Sequence, residues 1–342
     1  MRKNNPRYKG WKSKRDRKKA KNKVKRRRLH KEKPRSKTTT VHSEKAVSER
    51  FLVPSNFCLS GNAEECLSWF DEICKFHYQG RGKVAFYIDM SKVSKISVDA
   101  LMYLLSIAQN KKYQEPHMFS FGGSLPQNPS CRKIVLESGF LDFMRSPLFL
   151  ESFISFNVEK NRRIRTGCQV EADTIGEICD FAKPLIGNTK TLYTVLGEIM
   201  SNTKEHAYSL EKETKSSEEQ REYKNWMVFV EKTSSKLSIL FLDNGQGIAK
   251  TVAKKVIEKL TLKQDVSYVK SALNGDFLRS ETKEVYRGRG LPRIKQTVTD
   301  GYFSKISILT NRAFISISQQ KETPIQLKAS FRGTMFYLEK KI

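Results

Sequence analysis

Cysteine is sparse in this chain and forms no pattern. The six, at positions 58, 66, 74, 131, 168 and 179, include no C-x-x-C pair, and no His and Cys set completes a metal site. Ordinary reduced thiols are expected. Long apolar runs are missing too: no stretch approaches the ~20 apolar residues that span a bilayer. No apolar segment follows the basic start of the chain, as a secretory leader would require. The expectation is a cytoplasmic protein with no transmembrane segment. There is no internal repeat, no phosphate loop with its Lys-Ser/Thr, and no dinucleotide glycine fingerprint. Acidic residues are almost absent from one end. Residues 1–37 hold twenty Lys or Arg against Asp16 and Glu32, and so carry +18 of the total +28, leaving +10 for the other 305 residues.

That end has almost nothing apolar to bury, so residues 1–50 read as a basic disordered tail and a polar linker. A charge run of this density neutralises phosphates without needing a fold. Tyr8 and Trp11 are available for stacking on bases. Nucleic acid bound through residues 1–37 is one expected partner; an acidic protein or an anionic membrane surface would satisfy the same charge.

Beyond the linker, residues 51–158 alternate helix and strand signals, which implies a small α/β domain. Cys66, Trp69, Phe70 and Ile73 recur at helical spacing, and Val84-Ala85-Phe86-Tyr87-Ile88 suits a buried strand. Leu101, Leu104, Leu105 and Ala108 form one stripe of a helix over residues 98–109. A strand follows at residues 118–121, then a helix near residues 131–138 that Gly139 can close. A second domain, residues 159–342, begins after the cluster Lys160, Arg162, Arg163 and Arg165. It reads as helices at residues 173–182 and 189–209, a charged insert at residues 211–223, and strands at residues 226–231 and 237–242. The last two are joined tightly through Thr233-Ser234-Ser235. A helix near residues 248–259, another from Leu291, and three strands ending at Leu338 complete it.

Four separated segments of this second domain carry chemistry. In Glu198-Ile199-Met200-Ser201-Asn202 the carboxylate and amide lie one helical turn apart on one face. An amide oxygen can join the oxygen shell of Mg²⁺ beside phosphate and water, and a neighbouring carboxylate can orient or deprotonate a nucleophile. Asp243-Asn244-Gly245-Gln246-Gly247 ends an apolar strand with a carboxylate able to accept from an adenine amino group. Its glycines let the backbone come close to a ligand. Gly288-Arg289-Gly290-Leu291-Pro292 places a flexible loop at a helix start, where free amides attract phosphate and Arg287, Arg289 and Arg293 add charge. Gly333-Thr334 sets a small hydroxyl on a terminal strand. Taken singly, each segment also fits a solvated helix face, a plain turn or a structural hydroxyl.

Together, and in this order, the four resemble the Bergerat-type ATPase domain of the GHKL superfamily, in the version found in anti-sigma-factor serine kinases. Glu205-His206-Ala207-Tyr208 adds to the likeness. The resemblance implies a two-layer α/β sandwich that binds ATP with Mg²⁺. It implies Glu198 as general base and Asn202 as metal ligand. Asp243 would read adenine in a pocket shaped by Gly245 and Gly247, and Gly288, Gly290 and Leu291 would anchor a phosphate lid with Arg287 and Arg289. Thr334 would support the adenine side, and residues 249–287 would form the mobile lid. No separate helix carries a phosphoacceptor histidine, which argues against a standard histidine kinase. Residues 51–158 resemble a STAS domain through residues 84–89, the loop 90–97, the helix from Val98, and Ser138-Gly139-Phe140-Leu141. Where antagonists of that family have a phosphorylatable Ser or Thr followed by Gly, this chain has Asp99 and Ala100. Asp99 imitates part of a phosphoserine's charge and implies phosphate-independent docking between the two domains.

The functions implied are ATP hydrolysis or transfer of the γ-phosphate to a protein hydroxyl, as a regulatory switch. The alternative is a non-catalytic, ATP-gated interaction module tethered to nucleic acid by its tail. A regulatory protein partner is expected, and pairing of two ATP domains in a homodimer stays open. Deleting residues 1–37 should abolish salt-sensitive binding to DNA or RNA, read by mobility shift at about 50 and about 200 mM salt. Binding that persists rejects the tail as the nucleic-acid element.

Overall fold

The computed structural model describes residues 47–76, 84–109, 119–145, 164–206, 225–256, 264–276 and 289–342. The basic tail, the insert 211–223, Arg287 and Gly288 lie outside these residues. Residues Lys45–Ile342 form one compact unit. It is mixed α/β, and no helix among the described residues is long and apolar enough to cross a membrane.

The first part of the unit is built on a parallel sheet, β1 (Val47–Leu52), β3 (Val84–Asp89) and β5 (Phe119–Ser124), in the order β1-β3-β5. A two-residue parallel pair, β2 (Asn56–Phe57) and β4 (Lys95–Ile96), lies apart from it. Among the described residues the helices associated with it are α1 (Ala63–Lys75), α2 (Val98–Ala108), α3 (Pro129–Glu137) and α4 (Phe140–Arg145). β1 starts inside the stretch read as a polar linker. Glu49 and Arg50 disguise it, because β1 is an edge strand and Arg50 reaches across to donate to the buried Asp89 carboxylate at its neighbour's end.

The second part is an antiparallel sheet of β6 (Arg165–Gly167), β7 (Trp226–Lys232), β8 (Lys236–Asp243), β9 (Lys305–Ser318) and β10 (Glu322–Lys341), in the order β6-β7-β8-β10-β9. β7 and β8 form the expected hairpin, with the Thr233 N–H donating to the Lys236 carbonyl at 2.9 Å. Two long strands stand where three shorter ones were expected. β10 runs on through register shifts at Gln326, Phe331 and Thr334, and these irregularities look like chain breaks in the sequence. Helices α5 (Ala172–Ile186), α6 (Lys190–His206), α7 (Ile248–Val256), α8 (Asp265–Asn274) and α9 (Gly290–Thr299) complete this part.

Each face of the antiparallel sheet has its own core. Trp226, Val228, Val230, Ile239, Phe241 and Phe336 pack with Ile178 of α5, Val195 and Ile199 of α6, and Ile294 of α9. The alternate residues, Met227, Phe229, Leu240, Leu242, Phe331 and Met335, join the core of the first part, among Phe70, Leu101 and Leu104. Burial on both faces explains why β7 and β8 read as continuous apolar runs instead of alternating ones. It also explains α2, whose residues from Asp99 to Ile107 are all buried although a single apolar stripe was expected. A helix apolar all round is one that is covered all round.

Polar contacts cross the same seam. The Tyr103 ring stacks on Phe331 with centroids 4.3 Å apart, and its hydroxyl accepts the Arg332 N–H at 2.9 Å. The Glu64 carboxylate accepts the N–H groups of Lys328 at 2.9 Å and Ala329 at 3.4 Å. The Asn225 side-chain amide donates to Gln109 Oε1 at 2.5 Å. Asp99 takes no part in this seam. It is 3% exposed, and its carboxylate accepts from Leu59 N at 3.2 Å, Ser60 N at 2.9 Å and the Ser97 hydroxyl. The docking charge expected there is instead an inward brace for the 58–60 loop. Phe331→Ala should cost about 3–5 kcal/mol of stability. Urea unfolding followed by tryptophan fluorescence and by far-ultraviolet circular dichroism should show both probes shifting together, since Trp69 and Trp226 flank the shared core.

Candidate functional site

α6 points Val195, Leu196, Ile199 and Met200 into the core beneath the sheet, which leaves Glu198, Ser201 and Asn202 half-buried on its other side. The start of α9 lies against that side. A Cβ placed on Gly290 would come within 2.8 Å of Glu198 Oε2 and 3.3 Å of Asn202 Nδ2, so the backbone of α9 passes close to both side chains. The first and third segments therefore meet in space. Arg293, one turn further along α9, pairs through Nη1 with Glu198 Oε1 at 2.5 Å. Asn202 Nδ2 is buried and has no hydrogen-bond partner among the described residues. Arg289 is exposed at the cap of α9, while Leu291 packs partly into the core beneath the sheet.

The second and fourth segments meet at the end of β8. Asp243 is 4% exposed and stands opposite Thr334 in the β8–β10 register. Its Oδ1 accepts the N–H of Gly245 at 2.9 Å and of Thr334 at 3.2 Å. Gly333, at φ 97°, passes so close that a Cβ would fall 1.9 Å from the Asp243 carbonyl oxygen. No side chain fits there, and β10 can reach Asp243 only through glycine. Burial pushes the Asp243 pKa up from 3.8 to about 6, opposed by the N–H groups of Gly245 and Thr334 and by the hydroxyls of Thr203 and Thr334.

Thr203 joins the two pairs of segments. It follows Asn202 directly on α6, is buried, and turns toward Asp243 while its hydroxyl also donates to the Ile199 carbonyl at 3.1 Å. Thr310 and Asn311, a polar pair inside the apolar β9, hold the turn that carries Gly245 and Gly247. Thr310 Oγ1 accepts the Ile248 N–H at 2.9 Å and donates to the Gly333 carbonyl at 2.9 Å. Asn311, at φ 50°, accepts from Ala249 N at 3.1 Å and donates to the Gln246 carbonyl at 2.8 Å. It presses so closely on Gly247, at φ 86°, that a Cβ there would lie 2.4 Å from its Oδ1. Sequence reasoning passed over Thr203, Thr310 and Asn311. The available signal was the dipeptide Thr310-Asn311 within an otherwise apolar strand.

Part of the expected lid, Asp265–Asn274, is the helix α8. Its Val266, Val269 and Leu273 lie in the core beneath the sheet, and Ala272 is buried beside them. Asp265 accepts the Arg312 N–H at 2.9 Å, and Asn274 accepts from Lys295 Nζ at 2.7 Å. The i, i+3, i+6, i+7 spacing of those four apolar residues is that of a packed amphipathic helix. The side chains of Glu205 and His206, and Ala207 and Tyr208 entirely, lie outside the described residues. Among the described residues no cluster of three His, Cys, Asp or Glu could hold a metal ion. A Mg²⁺ ion here would be held by Asn202 together with phosphate oxygens and water, which suits an ion that keeps most of its shell from substrate and solvent. A groove lined by Cys179, Lys183, Asn188 and Tyr193 lies at the start of α6, its nearest residues about 6–8 Å along the helix from Glu198. It contains none of the four segments.

No protein-family model matches the chain, and no curated protein matches it.

A carboxyl whose pKa is higher in the folded chain holds its proton more tightly there. The stability it contributes is full below about 3.8 and is lost as pH rises through about 6. Between pH ~4 and ~7 the wild type should therefore lose about 3 kcal/mol relative to Asp243→Asn. Urea unfolding of both proteins across that range measures the difference, and a flat difference would show Asp243 ionised throughout.

Proposed function

We propose that the site formed by α6, the end of β8 and the start of α9 binds ATP with Mg²⁺ and transfers the γ-phosphate to water or to a protein hydroxyl, serving as a regulatory switch. The observation that carries this reading is the contact of Gly290 with Glu198 and Asn202. It sets the amide-bearing start of a helix, where phosphate is favoured, against a carboxylate and an amide one turn apart. Asn202 Nδ2, unpartnered among the described residues, supports it, because a buried N–H donor is costly unless an acceptor such as a phosphate oxygen completes it. Likeness to the Bergerat-type ATPases agrees with both.

On this reading Asp243 accepts a hydrogen bond from the adenine amino group, with Thr203 and Thr334 orienting its carboxylate. The N–H groups at the start of α9 hold phosphate oxygens. Asn202 is the metal ligand, and Mg²⁺ when bound neutralises charge that builds on the phosphates. Glu198 takes the proton of the attacking hydroxyl as that oxygen bonds to the γ-phosphorus. The bond from phosphorus to the bridging oxygen breaks and ADP leaves. Positioning and charge neutralisation carry most of the acceleration in such a transfer.

The second reading, an ATP-gated module with little or no turnover, is favoured by one observation. Glu198 is already engaged by Arg293, which occupies the oxygen Oε1 of the assigned base. The basic tail would tether either form to nucleic acid, and a regulatory protein would be the recipient of the switch. ATP binding and hydrolysis, measured with and without Mg²⁺, separate these readings. Asn202→Ala should weaken Mg²⁺-dependent ATP binding by about tenfold or more. Glu198→Ala should keep ATP binding and lower turnover by about 100-fold or more, the contribution expected of a general base. Unchanged ATP consumption by Glu198→Ala would overturn the assigned base.

A further inference from the structure

The start of α9 lies directly against the candidate base. Oε1 of Glu198 pairs with Arg293 Nη1 at 2.5 Å, and Oε2 faces Gly290, whose missing Cβ would stand only 2.8 Å away. The helix proposed to hold phosphate is thus the same helix that occupies the base. Arg293 belongs to the first turns of α9, its N–H donating to the Arg289 carbonyl at 3.0 Å, so its guanidinium and the free amides at the helix start serve the same space.

The pair is built to be broken. Arg293 is 53% exposed and Glu198 27%, and an ion pair so open to solvent contributes little to stability. A terminal phosphate carries more charge than a carboxylate and matches the guanidinium fork with two oxygens. Wherever a γ-phosphate reaches the start of α9, it competes with Glu198 for Arg293. A diphosphate lacks that group and leaves the pair in place.

We propose that Arg293 is a γ-phosphate sensor. It holds Glu198 in check in the nucleotide-free protein and passes to the γ-phosphate of ATP, freeing the carboxylate to act as base. This rests on the ATP-site reading above and adds to it an account of how the chain distinguishes ATP from ADP. Arg293 would act directly on substrate, and the latch would keep the base idle until the group to be transferred has arrived.

The test is equilibrium binding by the full chain of ADP and of a non-hydrolysable ATP analogue, both with Mg²⁺, titrated by calorimetry. Wild type should prefer the triphosphate. Arg293→Ala should lower that preference by about tenfold, the range expected for loss of one charge-assisted contact, and Arg293→Lys should keep part of it. Glu198→Gln should tighten triphosphate binding, because no ion pair then has to open. That variant keeps the side chain's shape and tests the latch even if Arg293→Ala folds poorly. Equal weakening of both nucleotides by Arg293→Ala, with no tightening in Glu198→Gln, overturns the sensor and leaves the pair as a brace between α6 and α9. A wild-type chain that binds neither nucleotide overturns the ATP site itself, and the sensor with it.

Discussion

Both faces of the antiparallel sheet carry a buried apolar core, and the rest of the unit is arranged around that condition. One side rests on α5, α6 and α9, the other on α1 and α2 of the parallel-sheet part. Each large apolar side chain so removed from water contributes about 1.5–3 kcal/mol. The two parts thus share one thermodynamic fate. The polar groups at the seam are chosen for backbone they must satisfy: Glu64 and Tyr103 accept N–H groups where β10 leaves its ladder. They occupy N–H groups that the irregular stretch from Gln326 to Thr334 leaves without ladder partners. That same stretch ends at Gly333 and Thr334, so the seam supports the strand that closes on Asp243.

Around Asp243 the backbone has been brought closer than side chains permit. Gly333 touches the aspartate's own carbonyl, and Gly247 is pressed by Asn311, itself at positive φ. Such positions persist when the surroundings over-determine them. Here Thr310 does so by bonding to both the α7 start and the Gly333 carbonyl. A carboxylate buried in this way is expensive to ionise, and two N–H groups and two hydroxyls are set around it in compensation.

Much of this was legible in the amino-acid order. β7 and β8 announced themselves as apolar runs because both their faces are covered. Glu198 and Asn202 share a helix face by spacing alone, and the glycines near Asp243 and Gly290 stood out. What escaped was whatever depends on a distant segment. β1 looked like linker because the partner that makes sense of Arg50 is Asp89, thirty-nine residues on. Asp99 looked like a surface charge because Leu59 and Ser60, which turn it inward, are equally remote. Arg293 was read as one more basic residue near phosphate, since no spacing rule joins it to Glu198 across ninety-five residues. Local propensity carries helix faces and turn residues, whereas the choice of partner for a buried charge is tertiary.

Asn202 and Thr203 are consecutive on α6, yet one serves the Gly290 end of the site and the other the Asp243 end. Successive residues on a helix turn by about 100° and rise about 1.5 Å. The offset between the two ends of the site is therefore a lattice constant of the helix, indifferent to the loops on either side. Loops bordering this site are free to change in length over evolutionary time. The interval from Glu198 to Thr203 is not, because inserting or losing a single residue there would swing one end of the site out of line with the other.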